Sequence, residues 1–136
     1  MQDFAILWPS VALAGLTFVV WATMFARRIP YLKGADLQTM AVRDARPDAP
    51  AHVAAPNDNL LNLFELPVLF HVLCLALAVT GLGGGTMLTA AWAYVALRAA
   101  HSLIHCTYNR VMHRFVAYFL STLVLAGMWI GFALKL

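Results

Sequence analysis

Apolar residues run along this chain in four stretches, residues 4–26, 60–80, 86–108 and 115–134, with the polar residues gathered mostly between them. Each stretch reaches the ~20 residues that a helix needs to cross a bilayer. The pattern predicts an all-α integral membrane protein, a four-helix transmembrane bundle forming one domain over residues 1–136. The polar exceptions inside the stretches are the informative part. The first run ends at Arg27-Arg28, the second holds Asn62 and Glu65, and the third holds Arg98, His101 and His105 on one helical face. A mid-membrane Arg or Glu costs about 2.5–3.5 kcal/mol on insertion scales. Such groups persist where they pair, line a wet cavity or bind a ligand, so a functional pocket between the helices is expected.

Composition agrees. Of 136 residues, 62% are hydrophobic and 11% charged, which leaves too few polar faces for a soluble domain of this size. No nucleic-acid partner is expected; membrane lipids are. The first stretch differs from a secretory leader: Asp3 stands where a basic region would be, the apolar run is longer than a leader's core, and the positive charges follow it. It reads as a retained helix. Cys74 and Cys106 fall inside apolar helices and read as small buried hydrophobes rather than a disulfide.

Charge predicts the topology. Arg27, Arg28, Lys33, Arg43 and Arg46 lie in the first loop, residues 27–59, and Arg110 and Arg114 bracket the third, while residues 81–85 carry no charge. The positive-inside rule puts loops one and three in the cytoplasm and both termini on the opposite side. The Gly-rich second loop reads as a tight helix–helix connection; a phosphate cradle would need a strand before it and a Lys after it. Pro47, Pro50 and Pro56 argue against one continuous helix through the first loop. Residues 31–45 could extend the first helix or form a short surface helix. Asn57, Asp58 and Asn59 offer N-caps for the second span, and Pro67 should bend it.

Asn62 and Glu65 are three apart and share a face. Arg98, His101, His105 and Asn109 follow at three, four and four, a stripe along the third span. Arg98 lies ~15 Å inside that helix's cytoplasmic end at ~1.5 Å per residue. Glu65 is the only carboxylate within a span, so a Glu65–Arg98 ion pair is expected, within one chain or between subunits. It could serve as interhelical glue or touch a ligand directly. His101 and His105 stand one turn apart; interhelical hydrogen bonds, a metal lacking its third ligand, or haem with His71 all fit two such residues. No metal is expected, and by helical angle His71 points away from the Asn62–Glu65 face. Arg110, His113 and Arg114 read either as a snorkelling anchor or as an anion clamp at a pocket mouth. Trp8, Trp21, Trp92, Trp129 and the Tyr residues read as interface belts or packing. The last span, with only Ser121 and Thr122 as mid-span polar groups, reads as a lipid-facing or packing helix.

The run Asn62-Leu63-Phe64-Glu65-Leu66-Pro67-Val68-Leu69-Phe70, and the run Arg98-Ala99-Ala100-His101-Ser102-Leu103-Ile104-His105 with Asn109 and Arg114 after it, resemble the second- and third-helix signatures of the MAPEG family, the membrane-associated proteins in eicosanoid and glutathione metabolism, in their bacterial form. The resemblance covers essentially the whole chain. It implies a homotrimer of four-helix bundles, in a bacterial inner membrane, with glutathione bound between subunits near the cytosolic side. By that resemblance Asn62, Glu65 and Arg98, with His101, His105 and Asn109 on the same stripe, bind the cofactor. Arg114, with Arg110 as its rival, holds the thiolate that attacks a lipophilic small-molecule substrate. The implied activity is a glutathione-dependent membrane transferase or peroxidase. The alternative is a non-catalytic protein of the same fold that binds a lipid or small amphiphile. Four positions depart from the family pattern. Asp58 stands where active eicosanoid members have Arg, Leu66 where Tyr is typical, and His101 and His105 where the eukaryotic enzymes have Tyr.

Overall fold

A computed structural model describes residues 4–33 and 49–136 of the chain. Their regular structure is entirely helical. A short 3-10 turn, Phe4–Ile6, leads into α1 (Leu7–Leu32); α2 (Ala51–Leu63) and α3 (Leu66–Thr80) follow, then α4 (Thr86–Cys106) and α5 (Val111–Ala133). Three units are long and apolar enough to cross a membrane: Phe4–Leu32, Ala51–Thr80 and Val111–Ala133. α4 falls short of that standard because of the polar residues in its second half. Those residues face inward: Arg98, His101, Ser102 and His105 are all buried.

α1 runs past the expected boundary at residue 26 to Leu32. Pro9, Leu13, Val20 and Met24 form its buried face, at the spacing of one helical stripe. Trp8, Phe18, Val19 and Trp21 cover the outside, so the helix is apolar all round, as lipid requires. α1 packs on α2, α3 and α4, and α4 packs most extensively on α5. The first stretch is thus an integral part of the bundle.

The second span is longer than the sequence pattern predicts and is broken in the middle. It starts at Ala51, directly after Pro50, rather than at residue 60. Asn57, Asp58 and Asn59 therefore sit inside α2 and are not caps. Pro56 is tolerated within the helix although it has no N–H to give to the carbonyl four residues back, that of His52. That carbonyl instead accepts from Arg27 Nη1 at 3.3 Å. Pro67 has a stronger effect. It occupies the first turn of α3, where a missing N–H costs nothing, and the chain breaks at Phe64–Glu65 just before it. The bend expected from Pro67 is present as a full interruption. Pro47 and most of residues 31–45 lie outside the described residues.

The second loop is the tight connection expected. Gly81 closes α3 in the left-handed region at φ 71°, and Leu82 N–H donates to Leu77 O at 3.1 Å. Gly83 presses against Ile6: a Cβ there would come within 2.7 Å of the Ile6 side chain. A helix precedes the loop, so no phosphate-cradling strand is present. Both cysteines are free, Cys74 buried and Cys106 half-buried.

Candidate functional site: a polar stripe beside a broken helix

The basic ends of the helices come together. Arg27 Nη1, near the end of α1, donates to His52 O at the start of α2 and to Cys106 O at the end of α4, the latter at 2.8 Å. The end of α1, the start of α2 and the end of α4 therefore share one end of the bundle. Beneath this end lies a buried polar layer. Asn59 is fully buried; Ser102 Oγ donates to Asn59 Oδ1 at 3.3 Å, and Asn59 Nδ2 donates to Cys106 Sγ at 3.5 Å.

Arg98 lies deeper and is 1% exposed. The expected Glu65–Arg98 ion pair does not form within the chain. Arg98 Nη2 donates instead to the backbone carbonyl of Asn62 at 3.2 Å, and its guanidinium carbon stands 5.3 Å from the centroid of the Tyr118 ring. The break at Phe64–Glu65 explains the exchange. It ends α2 one residue after Asn62, leaving that carbonyl without a helical partner, and a guanidinium is a strong donor in so dry a place. Glu65 lies on the exposed face and reaches Arg98 only by longer-range attraction. Asn62 is half-buried, and Asp58, one turn before it on the same side, is exposed. Asp58, Asn62 and Glu65 thus form a polar strip along the outside of the bundle.

His101 and His105 are each 2% exposed, with ring centroids 5.5 Å apart and planes perpendicular. His101 Nδ1–H donates to the Arg114 carbonyl at 3.1 Å, which leaves its Nε2 as a buried acceptor without a protein partner; His105 Nδ1 and Arg98 Nε likewise have none. Among the described residues no three His, Cys, Asp or Glu side chains converge as a metal site. His71 is engaged elsewhere, sharing a 2.6 Å hydrogen bond with Ser10 Oγ of α1.

Asn109 lies past the end of α4, in the turn rather than on the helix, with φ 47°. Its N–H donates to Ile104 O at 2.8 Å, and its Oδ1 accepts from Arg114 Nη1 at 2.8 Å. Arg114 is half-buried in the first turn of α5, while Arg110 and His113 are exposed and Tyr108 Oη bonds His113 Nδ1 at 3.1 Å. Two basic groups therefore meet the same turn differently: the Arg114 guanidinium is held by Asn109, whereas the Arg110 guanidinium has no hydrogen-bonded partner among the described residues.

The structure joins Arg98 to Asn62, His101 to Arg114, and Arg114 to Asn109. It leaves Glu65 and Arg110 on the surface of the chain. Four contributors go beyond the residues that the sequence singles out. Asn59 was masked by its resemblance to a cap. Arg27 reads as loop charge in the sequence. Tyr118 belongs to a helix whose sequence reads as lipid-facing or packing, yet it lies one turn after Arg114 and its ring meets both Arg98 and His101, the latter at 5.7 Å between centroids. That four-residue spacing was the available signal. Tyr94 also belongs here, buried one turn before Arg98 and stacked on Phe70 at 4.4 Å.

Residues 6–134 match the family model of the MAPEG family. No curated protein and no solved structure matches the chain. The family match takes in both polar runs, the break between α2 and α3, and the turn that carries Asn109 and Arg114. This chain, an all-α membrane bundle, belongs to the MAPEG family, the membrane-associated proteins in eicosanoid and glutathione metabolism.

Proposed function

We propose that this protein is a glutathione-dependent membrane transferase or peroxidase acting on lipophilic electrophiles. The observation that carries this reading is the division of polar groups between inside and outside. Arg98, His101, His105 and Asn59 are sealed within the chain, whereas Glu65, Asp58 and Arg110 are turned outward from an otherwise apolar bundle. Exposed charge on a membrane helix calls for an occupant or a neighbouring subunit. A site between copies of the chain, in a homotrimer, satisfies that need. The bundle then forms a single four-span domain, in a bacterial inner membrane, with loops one and three in the cytoplasm.

The residues present suit glutathione in kind. Glu65 can receive its ammonium, the Asn62 side chain can bond its amides, and Arg110 can meet a carboxylate. Bound glutathione supplies a thiol that is nucleophilic as the thiolate. The task of Arg114 is to hold negative charge on sulfur, and a guanidinium does so at any physiological pH. Arg98 keeps Asn62 and Glu65 in place by capping α2 at its break, and the buried His101 fixes the backbone of Arg114. The apolar outer faces of α1 and α5 admit a substrate from the bilayer while the cofactor arrives from the basic end.

One observation favours a second reading, a non-catalytic protein of the same fold binding a lipid or small amphiphile. Asp58 is exposed on the same strip as Glu65 and would repel the carboxylates of glutathione. Calorimetry with glutathione on the detergent-solubilised protein separates the two readings. Saturable heat below millimolar ligand, lost in Glu65→Gln or Asn62→Ala, supports the first. Absence of heat at millimolar ligand supports the second.

A further inference from the structure

We propose that Asn109 is the positioning residue that aims the Arg114 guanidinium, and that it does so through its side chain rather than through the turn it forms. This rests on the glutathione reading above, since the thiolate is what Arg114 is aimed at. It moves Asn109 from the group that touches the cofactor to one that acts through another residue.

The geometry separates two contributions of one residue. The first is conformational. Asn109 is the only non-glycine residue with positive φ among the described residues, at 47°, and its N–H closes the end of α4 on Ile104 O. Asn accepts this region better than most residues, but Gly accepts it with less strain. Turn formation alone would therefore be met at least as well by Gly. The second is chemical. Asn109 Oδ1 accepts from Arg114 Nη1 at 2.8 Å, and nothing about the turn requires that bond.

Among the described residues, Arg114 is otherwise hydrogen-bonded only through its main chain. Its N–H donates to Arg110 O at 3.0 Å and its carbonyl accepts from His101 Nδ1 at 3.1 Å, which fixes where the side chain starts but not where it ends. An arginine side chain has four rotatable torsions and many rotamers, and one side-chain bond removes most of that freedom. The acceptor is neutral, so it orients the guanidinium without cancelling its charge. Four of the five guanidinium N–H donors stay available. A carboxylate in this place would orient equally well and compete with an anionic ligand.

The test is a pH titration of the ultraviolet thiolate absorbance of glutathione bound to the full-length protein in detergent, for wild type, Asn109→Gly, Arg114→Ala and the double variant. Helicity and detergent-column elution of Asn109→Gly should match wild type, because Gly fits the turn. The thiolate midpoint in Asn109→Gly should rise by about one pH unit, the tenfold change expected for losing the aim of one charge-assisted hydrogen bond. Arg114→Ala should raise it at least as far, and adding Asn109→Gly to Arg114→Ala should change nothing more. An Asn109→Gly midpoint equal to wild type overturns the positioning role while leaving the glutathione reading intact. An equal shift from Asn109→Gly in the Arg114→Ala background also overturns it, because the effect then does not pass through Arg114. Absence of any thiolate signal in the wild type overturns the glutathione reading and this inference with it.

Discussion

Within the chain, Arg98 is held by a backbone carbonyl and not by the Glu65 carboxylate. A guanidinium deep in an apolar helix must be neutralised or bonded, and the nearest carboxylate in the spans was Glu65. The chain supplies a backbone carbonyl instead, that of Asn62, which the helix break sets free. A sequence lists side chains and not unpaired carbonyls, so this acceptor could not be read from it. The two accounts differ in what mutation does. Arg98→Ala should destabilise the protein by about 2–4 kcal/mol in detergent unfolding, through a lost charged hydrogen bond and a cavity. Glu65→Gln should cost under ~0.5 kcal/mol, as exposed substitutions usually do. A buried Glu65–Arg98 pair would instead make the two losses comparable, at several kcal/mol each. Asn59→Ala should cost about 1–3 kcal/mol, because it strands the buried Ser102 hydroxyl.

At the scale of elements, the apolar runs made the helical character and chain order of the spans plain, and Pro67 marked the interruption of the second. The start of that span was misjudged because Asn57, Asp58 and Asn59 have the chemistry of caps and Pro56 the chemistry of a helix breaker. Tertiary contacts overrode both. Arg27 takes the His52 carbonyl that Pro56 leaves bare, and Ser102 and Cys106 take the Asn59 amide. This makes Arg27 and Pro56 energetically coupled. Restoring the amide with Pro56→Ala should lower the cost of Arg27→Gln, and a double-mutant cycle on unfolding free energies should give a coupling of about 0.5–1 kcal/mol. Purely additive losses would separate the two residues. The second loop offers a cleaner contrast. Gly83→Ala drives a methyl into Ile6, itself fully buried, and should cost about 1–3 kcal/mol, whereas Gly84→Ala, which meets open space, should stay within ~0.5 kcal/mol of wild type.

For the whole molecule, the all-α membrane fold was legible from the four apolar stretches, and membership of the MAPEG family from the order and spacing of Asn62, Glu65, Arg98, His101 and His105 within them. The site was legible only in part. α5 has few mid-span polar residues, so the contributions of Tyr118 and of the Arg114 carbonyl were hidden, the first as packing and the second as backbone. The bundle presents sealed basic and imidazole groups within and exposed charges on its outside, and the proposed function requires those outer charges to hold glutathione with its sulfur near Arg114. The measurement that tests this most directly is a titration of glutathione into the wild-type protein and Arg114→Ala in lipid nanodiscs, followed at the ultraviolet absorbance of the thiolate. The account predicts a saturable rise at neutral pH in the wild type and its loss in Arg114→Ala; no rise in the wild type at millimolar glutathione would contradict it.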